Sequence, residues 1–327
     1  MQTAGQKTST AGAFSDALLL GGMIVLWGLS WPVMKLAVLE APPLWLAAIR
    51  FASSGLCLFA LNALRREIRV PTLPDLPIVL SIGLLQMAAF TGLGMIAMQF
   101  IDAGRASVLA YSTPLWAVLI AAILYRERPT PLQLVAVATG MSGIIILCSP
   151  ASLNWSSSSV PLGAGLLVLA AICWSIVILH VRRHRWKTTP LQLAPWEMAL
   201  ASLVLIPLAW AVEGPPTSIQ WSPHLLLLII YFGPVATSFC FVVSTEVGRR
   251  ISTFTMSNLT LGVPVIGTFV SVLLLGETLS FLASLGFSLI MSGIVIAAWA
   301  VRMKARVNSR TRERDEHQKQ AWPVERV

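Results

Sequence analysis

Long apolar runs separated by short polar turns fill most of this chain. The turns contain proline, glycine or basic residues, and a run of about 18 apolar residues or more can cross a bilayer as a helix. Ten runs can be delimited, at residues 17–36, 43–63, 76–98, 104–125, 131–148, 161–181, 191–212, 224–245, 252–275 and 281–302. The pattern therefore predicts an all-α integral membrane protein with ten transmembrane helices.

The second half of the chain repeats the first. The pairs that match at a constant offset of 150 or 147 residues are Pro114 with Pro264, Glu127 with Glu277, Gly143 with Gly293, Trp27 with Trp174 and Pro43 with Pro190. Each copy holds an odd number of crossings, so the second copy enters the bilayer upside down. We predict two inverted five-helix repeats, residues 17–148 and 161–302, joined by an external loop, residues 149–160. Inverted repeats are typical of secondary transporters, whose substrate site lies between the copies near the midplane.

Composition and charge exclude a soluble domain and indicate the orientation. The chain is 56% hydrophobic and 11% charged, whereas soluble domains carry about 25% charged residues. All 23 lysine and arginine residues except Lys35, Arg50 and Arg105 fall in the terminal segments or the even-numbered turns. The excess of positive charge on the cytoplasmic side places both termini there. Residues 1–16 are predicted to be a cytoplasmic segment, and residues 303–327 a disordered basic cytoplasmic tail.

The sequence carries no motif of the other functional classes we considered. Its net charge of +9 is spread over short tethers, which argues against a nucleic-acid-binding face. The four cysteines have no metal-ligand spacing, and neither a nucleotide-binding fingerprint nor a nucleophile motif is present. We therefore expect no enzyme activity, no cofactor and no metal.

Several short motifs together resemble the drug/metabolite transporter superfamily, in its EamA-type branch. They are Trp27 to Pro32, Arg50-Phe51, Arg105 to Ser107, Pro114-Leu115, Arg126 to Arg128, Gly140 to Gly143, Pro264, Gly276-Glu277 and Ser292-Gly293. The branch includes bacterial exporters of amino acids and other metabolites, and the aromatic amino-acid exporters are similar in length and layout. The resemblance implies an inner-membrane secondary transporter for a small-molecule substrate. The second half has Glu197-Met198 where the first has Arg50-Phe51, so a role shared by both positions is not implied.

Two tryptophans related by the repeat are the first candidates for a substrate cavity. Trp27 and Trp174 lie about ten residues inside their helices, deeper than the interfacial belt that tryptophan favours. Facing each other across the repeat axis, they would form an aromatic wall with an indole N–H to offer a ligand. The alternative is that they pack against other helices or lipid.

Polar clusters beside two prolines are the next candidates. Pro114 and Pro264 each leave the carbonyl four residues earlier without its helical bond, which suits a hinge. The cavity-lining candidates around them and on the neighbouring helices are Ser30, Trp31, Gln86, Phe90, Tyr111, Asn258 and Thr260. The alternative is that the hydroxyls bond back to their own helix, or that they join helices to one another.

Arg50 and Glu197 are charges inside the predicted spans, where ionisable residues mark functional sites. Each lies about 10 Å deep at 1.5 Å per residue. The depth of Arg50 is measured from the outer face of the bilayer, and that of Glu197 from the inner face. Roughly 10 Å in depth then separates them in a 30 Å core, too far for an ion pair. Arg50 is expected to snorkel or bond to backbone near the outer face. Glu197 is a candidate to bind a proton or a substrate amine, but helices two and seven are peripheral in similar proteins, which argues against that role.

Helices five and ten carry small residues four apart, which favours close packing within the monomer or a homodimer through these helices. Glu127 and Glu277 are expected to cap the helices that follow them. Taken together, the sequence predicts a secondary transporter that exports small metabolites such as amino acids by alternating access. The alternatives left open are a multidrug or nucleotide-sugar-like carrier, and a membrane assembly protein without transport activity.

Overall fold

A computed structural model describes residues 10–149, 159–247, Met256 and 259–321. The described part is helical and contains no strand. Its ten helical rods are α1 Thr10–Ala37, α2 Pro43–Leu64, α3 Leu73–Ala97, α4 Ala103–Leu124, α5 Pro131–Leu147, α6 Ser159–Arg183, α7 Pro190–Glu213, α8 Pro223–Glu246, α9 Gly262–Leu275 and α10 Phe281–Ala321.

The rods have the length and surface of membrane helices. Eight of the ten described rods contain a stretch of at least 18 residues that is apolar enough to cross a bilayer, and α5 and α9 are shorter apolar helices. Large apolar side chains point outward along them, including Leu203 at 71% and Leu274 at 70% exposure. Such a surface is stable against lipid and not against water. The predicted all-α, ten-helix membrane fold is confirmed.

Proline and short capping residues fix where several helices begin. Proline stands at the first position of α2, α5, α7 and α8, where its missing N–H costs nothing. Thr130 and Thr189 form capping boxes with the glutamines three residues on, which satisfies backbone donors at the starts of α5 and α7.

The inversion of the repeats is visible in the pairing of α2 with α7. The backbone N–H of Leu44, at the start of α2, donates to Glu213 Oε1 at the end of α7, over 2.8 Å. At the other end of the pair, Asn62 Nδ2 donates to the carbonyl of Leu191 over 3.2 Å. The two helices are repeat equivalents and run antiparallel, so the copies are inverted. The same symmetry packs α5 on α10, α1 on α9 and α6 on α4.

Three rods depart from regular α-helix. α3 and α8 contain π-helical segments at corresponding positions, Ile82–Ala89 and Tyr231–Phe239. α4 breaks at Tyr111 and Ser112, between the segments Ala103–Ala110 and Thr113–Leu124. π-Helical segments and breaks of this kind are frequent at functional sites.

Glycines bring α5 and α10 together inside the monomer. A Cβ on Gly143 would lie 2.7 Å from the carbonyl oxygen of Gly286, and one on Gly293 would lie 2.7 Å from Gly140 Cα. The close packing expected of these helices is therefore intramolecular. Ser288 and Ser292 of α10 are exposed, on a different face from the glycines. The homodimer through these helices stays a prediction.

Two expectations about terminal and capping residues were wrong. α10 continues as a helix to Ala321, where a disordered tail was predicted; residues 302–321 lack proline and glycine and are rich in helix-forming Arg, Lys, Glu and Gln. Glu277 does not cap α10. Its carboxylate accepts from the N–H groups of Ala103 and Gly104 and so caps α4.

Candidate functional site

A chain of aromatic rings crosses the interface between the two repeats. Trp31 of α1 and Tyr111 of α4 lie 6.3 Å apart between ring centroids, and Tyr111 and Trp174 of α6 lie 5.9 Å apart. Trp174 also meets Phe90 of α3 at 4.6 Å. All are edge-to-face contacts, the geometry that aromatic quadrupoles favour. We call Trp31, Phe90, Tyr111 and Trp174 the aromatic cluster.

The break in α4 explains how Tyr111 reaches the cluster. Tyr111 ends the first segment of α4, and Ser112 Oγ donates to the carbonyl of Leu109 over 2.6 Å, so this hydroxyl serves its own helix. Tyr111, Trp174 and Phe90 are each partly exposed although they lie well inside their rods. Trp31 is buried, at 5% exposure. The cluster therefore presents ring surface from both repeats.

Trp27 lies beside the cluster but uses its indole N–H within the protein. Nε1 donates to the carbonyl of Ala236 over 3.0 Å, in the π-helical segment of α8. The expected offer of this N–H to a ligand was therefore wrong, because the wider π turn presents a backbone acceptor to it. No ring contact between Trp27 and Trp174 is found among the described side chains; only the ring face of Trp27 remains for a cavity.

Hydroxyl groups on α1 and α8 tie these two helices together. Tyr231 Oη donates to the carbonyl of Leu26 over 2.6 Å, and Ser30 Oγ donates to the same carbonyl over 2.9 Å. Ser30 thus follows the alternative of bonding back to its own helix. Tyr231 was not among the sequence candidates. The chain has only 3 tyrosines. Two of them, Tyr111 and Tyr231, contact α1. The rarity of tyrosine was a sequence signal that could have made Tyr231 a candidate.

Arg50 points into the interior of the protein and does not snorkel. Its Nε donates to Thr237 Oγ1 over 2.8 Å, and its Nη1 lies 3.5 Å from Met34 Sδ. The expectation of a backbone bond near the outer face was wrong, because the π-helical segment of α8 brings Thr237 within reach. The sequence analysis also missed Thr237, whose hydroxyl group donates a hydrogen bond to the carbonyl of Phe232 over 2.7 Å.

Glu197 occupies the equivalent position of the second repeat and is buried, at 1% exposure. Its Oε1 has no hydrogen-bond partner among the described residues. The carbonyl of Glu197 faces Gly83 in the π-helical segment of α3, where a Cβ would lie 3.0 Å from it. As expected, Arg50 and Glu197 form no ion pair among the described side chains.

The remaining sequence candidates lie around the same interface or outside the described part. Gln86 is partly exposed on the π-helical segment of α3, and Thr260 is partly exposed just before α9. Asn258 lies outside the described residues. Pro114 stands at the break in α4, and Pro264 is buried with its carbonyl 3.5 Å from Ser107 Oγ of α4. Both predicted hinge prolines therefore lie where α4 or α9 meets the other repeat.

Carboxylates that the sequence did not single out join the repeats at the two faces. Asp75 of α3 accepts from the N–H groups of Lys187 and Thr188 over 3.2 and 3.0 Å and lies 3.0 Å from His184 Nε2. At the opposite face, Glu40 accepts from Ser222 Oγ over 2.9 Å and contacts His224. Each contact links a loop to the start of a helix of the other copy.

The environments of Glu40 and Glu277 shift their titration in opposite directions. The hydrogen bonds from His224 and Ser222 lower the pKa of Glu40 below its usual value. Burial raises the pKa of Glu277, although the N–H groups of Gly104 and Ala103 offset part of that effect. A raised carboxyl pKa reports incomplete compensation of the charge by hydrogen bonds.

Two grooves open at the ends of the bundle, and neither is lined by the aromatic cluster. One, of about 480 Å³, lies between Glu40 and Glu213, where α2 begins and α7 ends. The other, of about 390 Å³, lies between the start of α1 and the end of α8, near Arg65. Apolar helices in two inverted copies, with aromatic and polar groups where the copies meet, define the class of multi-pass transporters built from inverted repeats.

Comparison with known proteins identifies the family within this class. The chain matches the EamA-like transporter family twice, over residues 14–149 and 161–299, and belongs to it. The "Probable amino-acid metabolite efflux pump" of Escherichia coli (strain K12) is 29% identical over 302 residues, which cover 89% of this chain and 97% of that protein. The "Uncharacterized inner membrane transporter YedA" of the same strain is 28% identical over 280 residues, 85% of this chain and 88% of that one.

A solved crystal structure shares the fold. It superposes with a TM-score of 0.59 at 22% sequence identity, over 89% of this chain and 99% of that one. The chain is thus a membrane transporter of the EamA family, with the ten-helix, two-repeat architecture of that family.

Proposed function

We propose that this chain is a secondary transporter that exports small metabolites, with amino acids as the leading class, by alternating access. The observation that carries the proposal is the aromatic cluster, which gathers partly exposed ring faces from both repeats at their interface. Such a surface suits a small substrate with an apolar side chain. The name of the Escherichia coli relative, an amino-acid metabolite efflux pump, supports the same class.

The proposal includes an orientation and a membrane. Both termini lie in the cytoplasm, which is supported by the lysine and arginine excess in the terminal segments and the even-numbered turns. We place the protein in the inner (plasma) membrane, and the name of the relative YedA, an inner membrane transporter, supports this placement. Export then carries substrate from the face that holds Asp75 to the face that holds Glu40.

Alternating access needs the two faces to separate in turn. Opening the outer face would break the contact of Glu40 with His224 and Ser222, and opening the inner face would break that of Asp75 with His184 and the loop after it. The break in α4 at Tyr111, which belongs to the aromatic cluster, and the prolines Pro114 and Pro264 supply bending points.

Flux through the purified full-length chain in proteoliposomes tests the proposal. Labelled aromatic and aliphatic amino acids should equilibrate across the bilayer faster than in empty liposomes. Strong flux of lipophilic cations beside weak amino-acid flux would favour the multidrug alternative. A folded protein that moves none of these compounds would contradict transport and favour the assembly protein.

A further inference from the structure

Arg50 holds hydrogen-bond donors that the protein does not use. Nε is engaged by Thr237 Oγ1, and one N–H of Nη1 faces the weak acceptor Met34 Sδ. Neither N–H of Nη2 has a protein acceptor among the described residues, and the guanidinium otherwise contacts only the ring of Phe51, whose centroid lies 6.0 Å from Cζ, within the described part. Arg50 is nevertheless partly exposed. It lies seven residues after Pro43, the first residue of α2. The Nη2 edge of the guanidinium therefore has no protein acceptor in the described part of the chain.

No carboxylate among the described residues balances the charge of Arg50. The titratable groups close enough to interact with it are Tyr231, Cys240 and Tyr111, all of which are neutral at physiological pH. Glu197, the acid inside the equivalent span of the second repeat, makes no contact with it. A guanidinium does not lose its proton in proteins, and an unbalanced cation inside a membrane is costly. Arg50 contacts Met34, which lies about one turn after Trp31 on α1, so this cation lies near the aromatic cluster.

Thr237 fixes which edge of the guanidinium is free. Its hydroxyl is held by the carbonyl of Phe232, so its oxygen is aimed at Arg50 Nε. The planar guanidinium offers parallel N–H groups that match the two oxygens of a carboxylate. An ammonium or a lipophilic cation in the same place would meet like charge.

We propose that Arg50 is the substrate-binding residue that receives the carboxylate of the transported molecule, while the aromatic cluster receives its side chain. The proposal rests on the proposed transport function and narrows its substrates to small carboxylates, amino acids with a free α-carboxylate among them. Thr237 is a positioning residue that keeps the guanidinium in register.

Three probes that differ only at the carboxyl group test the proposal in proteoliposomes: phenylalanine, phenylalanine amide and phenethylamine. The wild-type chain should transport phenylalanine and discriminate against the amide and the amine. Arg50→Gln should lower phenylalanine flux roughly ten- to hundredfold, the range for a lost hydrogen bond to a charged group, and should abolish the preference for the acid over the amide. Arg50→Lys should retain part of that preference, because the charge remains and the fork does not.

Arg105→Gln is the matched control, since it removes another arginine of a spanning helix, one whose Nε lies 3.6 Å from Asp102 Oδ2. It should keep the acid-to-amide ratio of the wild type. Thr237→Val should reduce the ratio with Arg50 still present. If Arg50→Gln fails to fold, the Arg50→Lys and Thr237→Val ratios decide the matter. An Arg50→Gln variant that folds and keeps the wild-type ratio overturns the proposal.

A binding readout separates this proposal from transport itself. Phenylalanine should raise the melting temperature of the wild-type chain in detergent, and phenylalanine amide should raise it less, because a ligand stabilises the state it binds. The difference should vanish in Arg50→Gln. Stabilisation by phenylalanine without flux would contradict the proposed transport function and support the carboxylate site at Arg50. Flux that does not depend on the carboxylate would support the transport function and contradict the carboxylate site.

Discussion

Replacing Gly293 with alanine tests the packing of α5 against α10. The added methyl group would lie 2.7 Å from the Cα and N atoms of Gly140 and 2.8 Å from the carbonyl oxygen of Ala136. These distances fall about 0.8 Å short of a normal contact of about 3.5 Å. All three atoms belong to backbone, so no side chain can turn away to make room. The helices must separate along a face that glycines hold together.

The expected cost is about 2 kcal/mol, in the middle of the range for one extra methyl group in a closely packed core. That corresponds to about a thirtyfold shift of the folding equilibrium. Gly143→Ala should cost a similar amount, because its methyl group would lie 2.7 Å from the carbonyl oxygen of Gly286 and from the backbone N of Ile290. The two variants report the same interface from its two symmetric sides.

The assay is reversible unfolding of the purified chain in mixed micelles, followed by circular dichroism. Gly165→Ala is the control, since nothing lies within 4 Å of its added Cβ and the residue is exposed. It should be neutral or stabilising by up to about 1 kcal/mol, the helix preference of alanine over glycine. Equal stability of Gly293→Ala and Gly165→Ala would refute close packing between α5 and α10.

Three further predictions concern charge and the aromatic cluster. Because the pKa of Glu277 is raised in the folded protein, its contribution to stability is full below the unfolded value of 4.5 and is lost as pH rises through the folded value. The pKa of Glu40 is lowered, so its contribution is present above 4.5 and is lost as pH falls through the folded value. Melting curves against pH for Glu277→Gln and Glu40→Gln, each subtracted from the wild type, should therefore slope in opposite directions; parallel differences would contradict the assignment. Glu197→Gln should change stability by no more than about 1 kcal/mol, because the buried carboxyl group has no described partner at Oε1 to lose; a loss above about 3 kcal/mol would mean that an ionised Glu197 makes a necessary contact. Trp174→Ala removes two ring contacts and should slow amino-acid flux at least about tenfold, whereas Trp196→Ala, at a distant site bonded to the carbonyl of Arg69, should not; equal flux in both variants would remove the cluster from the transport path.

The fold could be predicted because its signals are local or strictly periodic. The length of an apolar segment decides whether it crosses the bilayer. The spacing between Pro114 and Pro264 recurs between Glu127 and Glu277, which reveals the duplication without any knowledge of packing. An odd number of spans per copy then requires inversion. The tail was mispredicted because low hydrophobicity was taken for disorder, although its composition also favours a helix.

The interior of the site could not be predicted, because it depends on contacts between distant helices. Arg50 lies seven residues after Pro43, the first residue of α2, as the sequence predicted, but the direction of its side chain follows from Thr237, 187 residues away on a π-helical segment. The indole N–H of Trp27 likewise donates to the carbonyl of Ala236, 209 residues away. Neither π-helical segment has a clear sequence signal: Pro234 stands within the one in α8, but the segment in α3 contains no proline.

The central claim is that two copies of one five-helix unit lie upside down to each other and meet around the aromatic cluster. Labelling of single cysteines by a membrane-impermeant maleimide tests it most directly, in a chain whose 4 native cysteines are replaced. The positions are Leu39→Cys, between α1 and α2, and Lys187→Cys, in the equivalent loop between α6 and α7; both side chains are exposed. We predict that intact cells label Leu39→Cys and that Lys187→Cys reacts only after permeabilisation. Labelling of both from the same side would contradict the inversion, and with it the cavity between the copies.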